Sequence, residues 1–215
     1  AMNRLNTLLL SGIFSLALFS CTKKENTYAV IETSFGNMKV MLYNTTPKHR
    51  DNFIKLAEGG FYDSLLFHRV ISAFMIQGGD PDSRNAPPGA ALGMGGPGYQ
   101  LDAEIGAPHL RGSMAAARNN NPQKMSSGSQ FYLVQGQKID DNYLDETERR
   151  QNIRYSPEQR KLYKEIGGTP FLDNDYTVFG EIVEGLDVLD KIAAVPTDAG
   201  NRPLEDVRMK VRILK

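Results

Sequence analysis

The chain has 215 residues, and its 25 Lys plus Arg are matched by 25 Asp plus Glu, a formal net charge of zero. That balance argues against a surface built to hold a phosphate backbone, so no nucleic-acid partner is expected. With 40% hydrophobic residues, 20 Gly and 11 Pro, the sequence describes a turn-rich globular chain long enough to bury a sizeable core.

The N-terminus reads as an export signal. Arg4 precedes an apolar run from Leu8 to Phe19, which suits a signal h-region and is short for a membrane span. The run ends at Leu18-Phe19-Ser20-Cys21, and Cys21 is the only cysteine. This resembles a bacterial lipobox, in which the cysteine becomes the lipidated first residue. An ordinary secretory signal with an incidental cysteine is the plain alternative. The expected division is a signal peptide over 1–20, a polar tether over 21–27 and one domain over 28–215. The protein would then sit in the cell envelope on a lipid anchor, at the periplasmic or outer-membrane face. Acyl burial is worth about 0.8 kcal/mol per methylene. A lone cysteine forbids an intrachain disulfide, so the fold must stand on its core.

Tyr28 to Tyr43 alternates apolar and polar residues around Phe35-Gly36-Asn37, which predicts a hairpin. Thr46 as N-cap, Pro47 as first helical residue and the Gly59-Gly60 stop predict a helix. Phe53, Leu56 and Ala57 form its inner stripe, and His49 falls on the exposed face. Residues 66–80 predict strand, loop, strand, with Arg69 and Gln77 among large apolar neighbours. Pro81 to Gly98 is a Gly- and Pro-rich loop. Strands are expected at 111–117, 130–134, 177–183 and 207–214, and a short helix at Leu186–Ala193. Residues 137–168 form a charged insertion. Within it Ser156, Pro157 and Gln159 announce a helix with a capping box, and a second helix is expected around Tyr143 to Gln151.

Four motifs now stand in order: Phe67 to Asp80, Gly112 to Ala117, Ser127 to Leu133, and Phe171 to Gly185. In this order they resemble the cyclophilins, the peptidyl-prolyl cis-trans isomerases, over most of Tyr28 to Lys215. The resemblance implies a mainly β fold, a closed eight-stranded antiparallel barrel capped by two helices, here with a helical insertion. It implies Arg69 as the catalytic group. Phe74, Met75, Tyr132 and Leu172 become walls and floor of a proline pocket. Gln77 and Gln130 become amides holding the peptide backbone, and Ala115 and Ala116 neighbours of the residue before proline. Phe171 stands where the family commonly has Trp, and Tyr176 where it commonly has His, so binding of drugs that rely on an indole N–H should weaken.

The chemistry needs no nucleophile, metal or cofactor. Rotation about a prolyl bond crosses a barrier of about 18–20 kcal/mol set by amide resonance. A guanidinium donating to the twisted amide, in an apolar pocket that excludes water, would lower it. Three scattered His and one Cys lack zinc spacing, and Ser129 lies next to no recognisable base. His68 should point away from Arg69 along the strand and belong to the core. Expected partners are proline-containing peptides and unfolded exported proteins, with the chain itself a monomer. A peptide-binding module or holdase using the same groove with little turnover is the alternative; a purely structural envelope lipoprotein has no use for this constellation.

Overall fold

The computed structural model describes residues 25–214. The expected signal peptide, most of the tether and Cys21, where a lipid is expected, lie outside them. Among the described residues no helix is long and apolar enough to cross a membrane.

The chain opens with β1 (Thr27–Thr33) and β2 (Gly36–Leu42), paired antiparallel from Thr27–Leu42 to Thr33–Gly36. The turn is therefore Ser34-Phe35, one step earlier than expected. The two-residue loop leaves Gly36 paired and able to take its φ of 126°. Helix α1 (Pro47–Glu58) follows, then β3 (Phe67–Ile71) and β4 (Met75–Gly78). A two-strand ribbon of β5 (Gln100–Leu101) and β7 (Ser126–Ser127) brackets β6 (Ser113–Ala116). After β8 (Phe131–Val134) come the helices α2 (Asp141–Gln151) and α3 (Pro157–Glu165). Strand β9 (Val178–Glu184), helix α4 (Leu186–Ala193) and β10 (Lys210–Leu214) complete the chain.

Eight strands make one antiparallel sheet in the order β10-β1-β2-β9-β6-β8-β4-β3. It is a half-barrel, and the closed barrel expected from the sequence is corrected here. The edge strands β3 and β10 do not pair as a ladder. One isolated bridge, Leu66 to Arg208, spans the gap, with backbone bonds such as Met209 N–H to Leu65 O at 2.8 Å. The chain before β10 is irregular from Pro203 to Met209, and irregular backbone cannot keep a ladder's register. Val207 and Met209 still fill the core from that segment.

The inner face of the sheet holds the main core. Phe53 of α1 packs on Tyr62, Phe131 and Phe179 at ring distances of 5.0, 5.7 and 5.8 Å. Helix α4 adds Val188, Leu189 and Ile192. Each such side chain is worth about 1.5–3 kcal/mol when fully buried. A second apolar cluster lies on the outer face, built on Met75, Ala115, Tyr132, Val134 and Val178. A third, Ile139, Leu144 and Tyr163 with Leu110 and Tyr155, roots α2 and α3 against the body.

Candidate active site

The outer face becomes a site through one irregularity. In a regular strand Phe67 and Arg69 would share a face. The β3–β4 register shifts between them, so Phe67 and Val70 both enter the core while Arg69 turns outward. His68 is the extra residue and is buried, but the bulge breaks the alternation that would turn it away from Arg69: the two line one cavity together with Gln77 and the loop at 89–93. A bulge that re-aims one side chain is a common device beside functional sites. On β4 the alternation is clean: Met75 and Gln77 face out, Ile76 faces in. Strand β8 repeats it, with Tyr132 outward between Phe131 and Leu133.

Together these strands line a cleft of about 130 Å³. That is the space of about four waters at roughly 30 Å³ each. Phe74, Met75, Tyr132 and Leu172 give it apolar walls, and Tyr176 and Ala117 complete them. Arg69 and Gln77 form the polar edge. Arg69 Nη1 donates to Gln77 Oε1 at 3.3 Å, Gln77 Nε2 donates to Gln130 Oε1 at 3.1 Å, and Gln130 Nε2 donates to the carbonyls of Gly93 and Gly95 at 3.1 and 2.7 Å. The direction of this chain is set at its far end, because two carbonyls can only accept. It orients both amides and tethers the guanidinium by one N–H. The other guanidinium N–H groups have no oxygen or nitrogen partner among the described residues. Gln77, Ala117 and Arg118 also line an adjoining cavity of about 330 Å³, bounded by the glycines at 93–98.

The family model for the cyclophilin type peptidyl-prolyl cis-trans isomerases matches residues 28–212. The chain belongs to this family. Proteins of Staphylococcus aureus and Staphylococcus epidermidis that carry a peptidyl-prolyl cis-trans isomerase name are 36% and 35% identical over 184 residues, covering 83% of this chain and 86% of theirs. A crystal structure of a Cryptosporidium parvum cyclophilin type isomerase superposes with a TM-score of 0.64 at 24% identity, over 89% of this chain and 99% of that one. The same protein solved in the presence of the dipeptide Ala-Pro gives 0.62 at 24% identity, over 87% and 99%. These two likenesses establish the cyclophilin fold.

Of the residues singled out from the sequence, Arg69, Phe74, Met75, Gln77, Tyr132, Leu172 and Tyr176 line this cyclophilin cleft, Gln130 lines the adjoining cavity, and Ala115, Ala116 and Phe171 do not line the cleft. Ala116 faces the main core opposite Phe131, while Ala115 lies opposite Tyr132 beneath the cleft. Adjacent strand residues cannot share a face, and the partner of Ala115 on the cleft side is Ala117. Phe171 sits at the rim, 46% exposed, with its ring 5.5 Å from Phe74. Arg118 was missed altogether. Its guanidinium lies 4.7 Å over the Tyr176 ring, and its Nε donates to Asp175 O at 2.8 Å. Asp80 was also missed. Its buried carboxylate accepts from the N–H groups of Asp82, Gly93 and Gly95, and so holds the loop that holds Gln130. The Asp-Pro pair at 80–81 is a turn signal that could have pointed to it.

His49 is corrected too. It is 2% exposed, with Nδ1 2.7 Å from Glu104 Oε2 and Nε2 3.0 Å from Ser126 Oγ. The segment around β5 folds over the first turn of α1 and covers a face that periodicity alone assigns to solvent. Among the described residues no group of three or more His, Cys, Asp or Glu is placed to hold a metal ion.

Proposed function

We propose that the cleft seats the ring of an Xaa-Pro peptide and that Arg69 catalyses rotation about the prolyl bond. The supporting observation is a tethered guanidinium whose other N–H groups have no oxygen or nitrogen partner among the described residues, at the edge of a small pocket walled by Phe74, Met75, Tyr132 and Leu172. The ring would lie among Phe74, Met75, Tyr132 and Leu172, with the Phe171 ring at the rim beside Phe74. In the planar amide the prolyl nitrogen has no lone pair to offer; in the twisted state it regains one. A guanidinium N–H donating to that nitrogen therefore stabilises the twisted state more than either planar one, and this difference is what lowers a barrier. The apolar walls keep water from competing for the same hydrogen bond. Gln77 and Gln130 would hold the backbone before the proline.

Arg69→Ala should lower kcat/KM on an Ala-Pro tetrapeptide by about a hundredfold or more, the scale of losing one preorganised donor. Its thermal midpoint should stay near that of the parent, since the side chain faces the cleft. Wild-type turnover in this variant would overturn the mechanism.

We further propose that the chain acts on exported proteins from a lipid anchor at Cys21. The support is the apolar run of Leu8 to Phe19 ending at the single cysteine. Cys21→Ser should move the protein from the membrane fraction to the soluble one. Mass spectrometry of an unmodified Cys21 in a chain cleaved elsewhere would refute this.

A further inference from the structure

Behind the cleft wall runs a buried polar chain that ends in the helical insertion. His109 is fully buried between β5 and β6. Its Nδ1 lies 2.7 Å from Asp173 Oδ1, which also accepts the His109 backbone N–H at 2.8 Å. The second carboxylate oxygen accepts two phenols, Tyr155 O–H at 2.8 Å and Tyr163 O–H at 2.6 Å. On the other side His109 Nε2 meets the Tyr132 hydroxyl at 2.9 Å. Tyr155 lies between α2 and α3 and Tyr163 within α3, whereas Tyr132 is a wall of the cleft.

The proton positions follow from the chemistry. An ionised carboxylate accepts about four hydrogen bonds, and Asp173 has four donors around it. Facing a carboxylate oxygen that can only accept, His109 Nδ1 carries the hydrogen of that 2.7 Å contact. A neutral imidazole then leaves Nε2 as an acceptor, so Tyr132 donates to it. Tyr132 keeps its proton, since burial first and the neighbouring Tyr176 and Asp173 next push its phenol well above the usual range. Tyr155 O–H has a second, longer acceptor in Pro170 O at 3.3 Å, and the direction of the chain is that of a neutral His109 ring. Such a fully satisfied buried network fixes orientation as well as stability.

We propose that His109 is a positioning residue for the cleft, and that the insertion sets the cleft's shape through it. The hydroxyls of Tyr155 and Tyr163 hold Asp173, Asp173 holds the tautomer and tilt of His109, and His109 holds the ring of Tyr132. The rings of His109 and Tyr132 are nearly parallel, 11° apart at 6.0 Å, so a tilt of one is passed to the other. The helices 141–151 and 157–165 are then a brace on the proline pocket. This rests on the cleft being the prolyl site, as proposed above.

The test uses the full chain with the double variant Tyr155→Phe/Tyr163→Phe, which keeps both rings and removes both hydroxyls. Three readouts are taken: kcat and KM on an Ala-Pro tetrapeptide, ring ¹⁵N resonances of His109, and the thermal midpoint. In the parent the ring should show one Nδ1-protonated tautomer near neutral pH. In the double variant the His109 resonances should move and KM should rise roughly tenfold, the scale of losing an outer partner of a positioned imidazole. Because the pocket grips planar and twisted states alike, kcat should hold. Tyr132→Phe should give the same rise in KM, and it serves if the double variant does not fold. Ring resonances that average both tautomers in the parent, or moved resonances with an unchanged KM, would overturn the proposal. Arg69→Ala separates the two readings. It should lose kcat with the His109 spectrum intact. If instead Arg69→Ala keeps full turnover, the prolyl mechanism fails, and the brace is judged on the double variant's dissociation constant for an Ala-Pro peptide, a weaker value supporting it and an unchanged value overturning it.

Discussion

At the residue scale, what could be read from the chain were side chains whose neighbours are close in sequence. Arg69, Phe74, Met75 and Gln77 fall within one hairpin, so their proximity was legible; their sharing of a cleft came with the resemblance, because Arg69 turns outward only through the register shift beside it. Ala117 and Arg118 come to the same cleft through pairing of β6 with β8, and the sequence alone does not reveal how far the outward alternation runs past the strand end. Asp80 and Gly95 are fifteen positions apart across a loop with no periodicity. Their contact is nonetheless tight. A Cβ at Gly95 would stand 2.1 Å from Asp80 Oδ1. Gly95→Ala must therefore displace the loop whose carbonyls hold Gln130, and with it the amide chain that orients Arg69. The expected cost is about 1–3 kcal/mol of stability, as for other forced overpacking, together with a fall in kcat/KM, read from urea midpoints and tetrapeptide kinetics. Full activity with lowered stability would show that Arg69 does not depend on Gln130.

At the element scale, starts and stops of helices were well marked, and their caps were less so. The Ser156 to Gln159 capping box forms as its residues suggest, with both reciprocal hydrogen bonds present. Thr46 occupies the N-cap of α1, yet its side chain makes no cap bond. The free N–H groups of Lys48 and His49 are taken by Glu104 at 3.1 and 3.0 Å, from a segment more than fifty positions along. A carboxylate there also meets the positive end of the helix. No local pattern could announce it, because the cap arrives by tertiary folding. Glu104→Ala should then cost more than Ser156→Ala. About 1 kcal/mol is expected for the latter, a usual N-cap loss. The former should exceed it, because His49 Nδ1 loses its partner as well. Chemical denaturation of both variants with an unchanged m-value checks the order, and equal losses would show that Glu104 is not the working cap of α1.

At the scale of the whole molecule, the eight strands were visible and their closure was not. Strand identity lies in alternation, whereas closure depends on how the irregular segment before β10 meets the edge of β3. The same scale decides the pH response, because two of the imidazoles that fold into the body were brought there by distant segments. Burial lowers the pKa of His49, with the partner Glu104 offsetting only part of this, and burial lowers that of His68. Both hold protons less well folded than unfolded, where the ordinary value is about 6.5. Their contribution to stability is therefore complete above about pH 6.5 and is lost as pH falls through the depressed folded values, since the unfolded chain then binds protons that the folded chain refuses. Glu104 adds a lower step of the same sign. Burial would raise its carboxyl, but the His49 side chain and the His49 and Lys48 backbone N–H groups together hold it below the usual carboxylate range. Urea midpoints should accordingly be flat from about pH 8 to 7 and decline steadily below about 6.5. Because burial is the main cause, added salt should recover little of the loss. His49→Gln should remove part of the slope between about pH 6.5 and 5. A midpoint that rises on acidification through that window would show that these imidazoles are protonated in the fold, and that the depressed values assigned to them are wrong.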